Sequence, residues 1–382
     1  MKNIFFLVGE RSADIHAAEV LKRLNKLDLE CNYWGIGGSK MQQQGFEAIF
    51  PFEKFSIIGF AEVVKHLPFI RKVNSTIQKE FEIRKPDLII LLDYPGFNMR
   101  IAKLAHKMQI PVLYYISPQF WAWKKKRIFK MKKYCDKIAV IFPFEEKLYN
   151  KIDADAEFVG HPVCEEINFR YSKKEFAQVY NLNENKKWLG FIPGSRDIEI
   201  MRILPELIGT IIFLEVIHKG KFEFLISLAD TVNENHFRKI IDPIKDKVKI
   251  IHETYDLMKH SDFIISKSGT SCLETAFIGT PEIVVYKISS ISYFLAKFFI
   301  NIDMIAMPNI LLGKKIIPEL IQNEANIKNI TENIEKYLLD EGNYLSMKNQ
   351  ISTIEDKLGN KSASENVVKI ILSMINETSD KI

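Results

Sequence analysis

The chain has 382 residues, 47% hydrophobic and 26% charged, with a net charge of +5; this length exceeds what one core usually fills and predicts two domains. The composition is that of an ordinary globular protein, and so small a net charge excludes a globally basic nucleic-acid binder while leaving a local anionic site open. Four cysteines far apart (Cys31, Cys135, Cys164 and Cys272) with no CxxC spacing argue against a zinc site and fit a reducing compartment.

Asn3–Val8 is too short an apolar run for a secretory signal. Ile288–Ile302, interrupted by serines and Lys297, falls short of the ~20 apolar residues of a membrane span, so any membrane contact is expected to be peripheral. Short apolar runs alternate with helix-length segments throughout. Strands are predicted at Ile4–Val8, Tyr33–Ile36, Leu88–Leu92, Val112–Ile116, Lys137–Ile141 and Glu157–Val159. After His161–Pro162 the chain turns polar through Glu165–Asn185, read as a linker. A second series follows at Trp188–Ile192, Phe224–Ser227, Val248–Ile251, Phe263–Ser266 and Ile283–Val285. Two successive α/β sets predict two doubly wound, Rossmann-like domains facing each other across a cleft. A last helix, Ala363–Ile375, is expected to cross back onto the first domain.

Several strand ends carry chemistry. Gly9–Asp14 (GERSAD) follows the first strand and opens a helix whose N–H groups suit an anion or sugar hydroxyl. It lacks GxGxxG and P-loop spacing, which excludes a nicotinamide-dependent oxidoreductase. Ser12 or Asp14 can cap that helix; Glu10 has no capping duty and is the better functional candidate. Ile58–Lys72 mixes large apolar side chains, Phe69 among them, with Lys65, His66, Arg71 and Lys72. It reads equally as a core-packed helix broken at Pro68 or as an interfacial element. In Leu91–Arg100 (LLDYPGFNMR), Asp93 ends a strand beside aromatic residues that partly desolvate it, as a general base requires. Asn98 and Arg100 are ligand contacts or helix-start residues.

Ile116–Trp123 (ISPQFWAW) runs into Lys124–Lys133, with seven cationic residues in ten, Lys124 and Arg127 included. Trp121 and Trp123 beside such a charge run suit a surface both apolar and anionic, a lipid phosphate or a nucleic acid. Asp153–Ala154–Asp155 mimics a metal-binding DxD, but precedes a strand and reads as a solvated turn. His161 adjoins the domain junction, where a lone histidine is either structural or catalytic. In the second series, Gly194, Ser195 and Arg196 form a strand-to-helix turn that can grip a phosphate. Ser268, Gly269 and Thr270 repeat it, with Glu274 one turn into the next helix as an acceptor for ribose hydroxyls or as a dipole partner. Two anion turns in one domain point to a nucleotide diphosphate.

Ten segments in order, GERSADIH, GIGGSKM, IIGFAEVV, DYPGFNMRIA, YYISPQFWAW, IFPFEEKLY, FVGHPV, PGSRDIEI, SGTSCLE and PNILLGKKIIPELIQ, resemble those of lipid-A-disaccharide synthases, glycosyltransferases of two-domain GT-B architecture. The resemblance implies an acceptor-side domain at 1–165 and a UDP-sugar-binding domain at 166–359. The helix within 360–382 is then expected to pack on the first domain or on a partner subunit, so a homodimer built by C-terminal exchange is implied. Implied too is inverting transfer from UDP-2,3-diacylglucosamine to 2,3-diacylglucosamine 1-phosphate, giving a β-1,6-linked disaccharide phosphate and UDP, without metal or other cofactor. Asp93 would be the base, with Glu10 and Ser12 positioning it. Arg196, Ser195 and the 268–270 turn would face the diphosphate, and Glu274 the ribose. Asn309 and Gln322 match polar positions lining the cleft. The tryptophan segment, its basic tail and Phe69 would meet acyl chains at the inner membrane, on its cytoplasmic side, with no nucleic-acid partner. The family's first turn has glycines where this chain has Ala13 and Ala17, which puts the geometry of Gly9–Asp14 in question. Rival readings are a UDP-N-acetylglucosamine 2-epimerase, an undecaprenyl-linked transferase, and a non-catalytic binder of RNA or anionic membrane.

Overall fold

The computed structural model describes residues 1–27, 29–50, 52, 67–120, 125–289, 293, 303–359 and 362–379. Among these, thirteen strands form two all-parallel sheets. The first contains β1 (Lys2–Val8), β2 (Cys31–Ile36), β3 (Glu47–Ala48), β4 (Leu88–Leu92), β5 (Val112–Tyr115), β6 (Lys137–Val140) and β7 (Ala156–Phe158), in the order β3-β2-β1-β4-β5-β6-β7. The second contains β8 (Lys187–Ile192), β9 (Phe222–Ser227), β10 (Val248–Ile251), β11 (Phe263–Lys267), β12 (Glu282–Tyr286) and β13 (Glu319–Ile321), in the order β10-β9-β8-β11-β12-β13. The chain divides into two units, Met1–Glu165 with the stretch from Leu358 onward, and Glu166–Lys357.

The central strands are uninterrupted apolar runs because helices cover both faces of each sheet. Ile4–Val8 and Leu88–Leu92 are at most 1% exposed. In the first unit Phe5 meets Trp34 and Phe81 edge-on, each at 4.9 Å between ring centroids. Ile70, Val73, Ile77 and Phe81, at three- and four-residue spacing, turn one side of the helix Leu67–Arg84 into this core. β3 and β13 escape a pattern search because one is two residues long and the other opens on a buried carboxylate, Glu319.

The polar stretch Glu165–Asn185 is folded, which corrects its reading as a linker. The helix Lys173–Tyr180 starts at a full capping box between Ser172 and Glu175. Its Phe176 is fully buried against Trp188. Buried Asp256 accepts from the Arg170 and Tyr171 amides at 2.8–3.1 Å. The lysines that made the segment look solvated are the outward face of a packed helix.

The helix Ala363–Ser379 packs on the helix Arg11–Leu24. Glu165 holds its start, accepting from the Ser364 amide at 2.9 Å and hydroxyl at 2.6 Å. Ala13 and Ala17 are buried inside the helix Arg11–Leu24, and neither has a positive φ. A methyl there is compatible with the backbone, so the site turn before it keeps its shape. No helix among the described residues is long and apolar enough to cross a membrane.

Candidate active site

In a doubly wound sheet, ligands bind beyond the carboxyl ends of the strands where the order reverses. In the first sheet that point lies between β1 and β4, which are followed by Glu10 and Asp93 respectively. In the second it lies between β8 and β11, followed by Gly194–Arg196 and Ser268–Thr270. Each unit therefore gathers two sequence-predicted turns at its switch point.

At the first, Asp93 and Tyr94 are consecutive non-glycine residues with φ of 45° and 42°, a left-handed pair that costs on the order of 1–3 kcal/mol per residue. Three side-chain hydrogen bonds hold it. The Tyr114 hydroxyl donates to the Asp93 carbonyl at 2.5 Å, and the Asn98 amide donates to the carbonyls of Leu92 and Asp93 at 2.9 and 2.7 Å. Pro95 then starts the helix Pro95–Lys107. Asn98 is fully buried at the start of this helix, and its amide straps the turn that carries Asp93.

Gly9 permits the approach of the neighbouring turn, since a Cβ there would lie 2.3 Å from the Tyr94 ring. Asp93 is half-buried, while Glu10 and Ser12 are exposed at the start of the helix Arg11–Leu24. Desolvation, then the Glu10 charge, raise the Asp93 carboxyl to about 6. Asp14 is buried and caps a different helix from its own, accepting from the amides of Gly38, Lys40 and Met41 at 2.8–3.3 Å. Burial and nearby His16 push His161 down to about 3. Its Nδ1 accepts from the Val163 amide at 3.1 Å, so it is a neutral, buried turn residue.

At the second switch point Gly194 has φ 120°, and a Cβ there would lie 2.7 Å from the Glu199 carboxylate, so the position requires glycine. Arg196 precedes the helix Asp197–Ile217 and leaves its guanidinium 71% exposed, with Glu199 at 3.6 Å. The Ser195 carbonyl accepts from the Thr231 hydroxyl at 2.6 Å. Ser268, Gly269 and Thr270 lead into the helix Thr270–Ile278, Gly269 and Thr270 being exposed.

Lys267, not singled out in the sequence, is 2.9 Å from Glu199 and ties one turn to the other. Its signal was present: a cation on the last residue of a strand that opens on an anion turn. Glu274 is half-buried; desolvation, then Glu166, raise it to about 7, against a hydrogen bond from Tyr255.

Asn309 is fully buried. It donates to the Ile317 carbonyl and Glu319 at 2.8 Å each and accepts from the Ile316 and Ile317 amides at 2.9 Å each. A side chain with those bonds filled braces the chain before β13. Gln322 lies at the carboxyl end of β13 with φ 55°, its side-chain oxygen accepting from the Ile288 amide at 3.2 Å.

Trp121, Trp123 and Lys124, and residues 58–66 of the apolar–basic stretch, lie outside the described residues. Phe69 is half-buried and meets Phe50 edge-on at 6.3 Å against the core. Arg127 lies 5.6 Å from the Phe120 ring centroid. Asp153 and Asp155 pair with Lys132 and Lys137 at 3.5 and 2.9 Å. Among the described residues no group of three His, Cys, Asp or Glu could hold a metal.

The sequence profile described as lipid-A-disaccharide synthetase matches residues 4–371. Proteins named lipid-A-disaccharide synthase from Geobacter metallireducens and Syntrophus aciditrophicus are 34% and 36% identical. The first match covers 98% of this chain and 97% of that protein, the second 99% of each. Among solved structures, the UDP-GlcNAc 2-epimerase of Neisseria meningitidis bound to UDP-GlcNAc has a TM-score of 0.65 at 16% identity, covering 98% of this chain and 100% of that one. The kitacinnamycin glycotransferase has a TM-score of 0.65 at 11% identity, covering 98% of each chain. These structural likenesses show the fold alone, two parallel-sheet domains of the GT-B class. The sequence match runs end to end: the chain belongs to the lipid-A-disaccharide synthetase family.

Proposed function

We propose that the protein transfers a 2,3-diacylglucosamine unit from its UDP donor to O6 of 2,3-diacylglucosamine 1-phosphate, with inversion, in lipid A biosynthesis. What carries this reading is the Asp93 turn: a carboxylate at a switch point, fixed by three hydrogen bonds and raised to about 6, within a chain of this family. A base with that pKa is about nine-tenths ionised at pH 7 and still basic enough to accept a proton. Asp93 takes the proton of the acceptor 6-hydroxyl while that oxygen bonds to the anomeric carbon. The bond from that carbon to the diphosphate breaks, and its electron pair leaves on UDP. Glu10 and Ser12, on the adjoining turn, orient the acceptor.

In the second unit, the exposed Arg196 guanidinium and the turns at Gly194–Ser195 and Ser268–Thr270 stabilise the charge that grows on the departing diphosphate. Glu274 accepts hydrogen bonds from the ribose, and Gln322 is a further contact. Likeness to epimerases extends to the fold alone and does not carry their chemistry here.

The helix Ile128–Tyr134 buries Ile128 and Met131 and presents Phe129, 57% exposed, among Lys126, Lys130 and Lys133. An apolar side chain in a cationic setting suits an anionic lipid surface, which supports peripheral association with the cytoplasmic face of the inner membrane. The docking of the helix Ala363–Ser379 on the helix Arg11–Leu24 is a contact a second copy can also make, so a dimer by C-terminal exchange belongs to this reading. The test is UDP release from UDP-2,3-diacylglucosamine with and without the acceptor, for wild type and Asp93→Asn. Acceptor-dependent release that collapses in the variant, with UDP affinity kept, is expected. Wild-type protein that releases no UDP with both substrates present overturns the proposal.

A further inference from the structure

Two neighbouring strand ends of the first unit turn through left-handed backbone. Asp93 and Tyr94 follow β4, and Ile116 follows β5 with φ 61°. The register sets these turns side by side: Leu92 pairs with Tyr115, and the next residues are Asp93 and Ile116. Among the described non-glycine residues with positive φ, Ile116 alone is β-branched. For such a side chain this backbone is a true outlier, and it persists only where the surroundings over-determine it.

The constraints come from both sides of the turn. The Ile116 amide donates to the Ala139 carbonyl of β6 at 3.1 Å. Beyond it, the buried Ser117 hydroxyl lies 2.6 Å from the hydroxyl of Tyr149, itself buried on the helix Pro143–Asn150, and 3.3 Å from the Pro118 carbonyl. Fully buried Phe120 anchors the far end of the stretch in the core. The end of β5, so fixed, holds Asp93 at both of its backbone groups. The Tyr115 carbonyl accepts from the Asp93 amide at 3.4 Å, and the Tyr114 hydroxyl donates to the Asp93 carbonyl at 2.5 Å. We propose that Ser117 and Tyr149 are positioning residues for the transfer reaction: their hydrogen bond keeps the Ile116 turn, and with it the strand end that fixes Asp93. The inference rests on the assignment of Asp93 as the base. Glycine makes such a turn without cost; an isoleucine pinned there by a buried bond keeps strained, preorganised backbone beside the reacting carboxylate.

The experiment measures kcat for UDP release with both substrates present, UDP affinity and the thermal unfolding midpoint. It compares wild type, Tyr149→Phe, Ser117→Ala, the double variant Ser117→Ala/Tyr149→Phe, and Asp93→Asn. Expected is a roughly tenfold fall in kcat in all three variants of the pair, with UDP affinity unchanged. Stability should part from activity. Ser117→Ala strands the Tyr149 hydroxyl in the core and lowers the midpoint most, whereas the double variant leaves no unmet hydroxyl and regains the midpoint with kcat still low. Full kcat in the three variants overturns the inference while the reaction itself stands. So does a double variant whose kcat recovers together with its midpoint, which assigns the pair to folding alone, or a UDP affinity that falls as far as kcat. Asp93→Asn at full kcat removes the base, and the role of the pair with it. Wild-type protein that releases no UDP removes the proposed reaction as a whole.

Discussion

The Tyr114 hydroxyl donates to the carbonyl of Asp93 across 2.5 Å, so the middle of one strand fixes the backbone at the end of its neighbour. Together with Asn98 it keeps two residues in left-handed backbone that neither favours alone. Asn98→Ala is expected to lower kcat about ten- to a hundredfold while leaving UDP affinity intact, because the strap touches the base's turn and not the nucleotide. Steady-state kinetics beside UDP calorimetry checks this, and full kcat in the variant sinks the strap.

The strap illustrates what a single sequence does and does not disclose. LLDYPGFNMR shows that a strand ends at a carboxylate and that a helix follows, because apolar runs and Pro95 are local signals. It does not show which polar residue faces a ligand. Asn98 and Asn309 look like contacts until their amides are seen donating to carbonyls of their own unit. Lys267 carries a local signal, a cation closing a strand before an anion turn, but its pairing with Glu199 shows only once β8 and β11 are neighbours. The helix Lys173–Tyr180 was hidden because its buried content rests on Phe176 and Ala177, too few to give a periodic pattern.

Asp93→Asn separates catalysis from stability. Loss of the base is expected to reduce kcat about 10²- to 10⁴-fold, and asparagine tolerates φ 45° well. The native carboxyl, at about 6 against an ordinary 3.8, binds its proton more tightly than the unfolded chain does. Its stabilising contribution is therefore complete below about 3.8 and lost as pH rises through 6. At pH 8 the ionised group costs about 1–3 kcal/mol, which the amide avoids. Thermal unfolding should show the variant the more stable at pH 8, with the gap closing toward pH 4; equal stability at both pH values contradicts the raised carboxyl. In wild type, kcat/KM should fall as pH drops through about 6.

Lys267 neutralises Glu199 beside the Gly194 turn, both side chains being less than 20% exposed. Lys267→Met leaves Glu199 with only the exposed Arg196 as a cation beside the turn proposed to hold the diphosphate, and is expected to weaken UDP binding about ten- to a hundredfold. Glu199→Gln in the same chain should restore most of that affinity. Titration calorimetry on the single and double variants decides, and a double variant no tighter than the single one contradicts the pairing.

Asn309→Ala should act on stability alone. It strips hydrogen bonds from the Ile316 and Ile317 amides, the Ile317 carbonyl and Glu319, a buried network whose loss costs about 3–5 kcal/mol. Denaturant unfolding should show that loss, with UDP affinity of the folded variant kept. Weakened UDP binding at full stability would return Asn309 to the ligand.

Glu274 offers the last test, because its carboxyl lies near neutrality. Burial first, and then Glu166, raise it to about 7, so the ionised form that the proposed ribose contact requires is about one-tenth populated at pH 6 and nine-tenths at pH 8. Uridine carries the ribose without the phosphates, whose own titration near pH 6 complicates UDP. Uridine affinity in wild type should therefore rise by up to about tenfold from pH 6 to 8. In Glu274→Gln the affinity should be flat over that range, because the amide has no charge to gain. A wild-type affinity indifferent to pH, measured by titration of a ribose proton resonance, would remove Glu274 from the nucleotide site and leave it a half-buried partner of Tyr255.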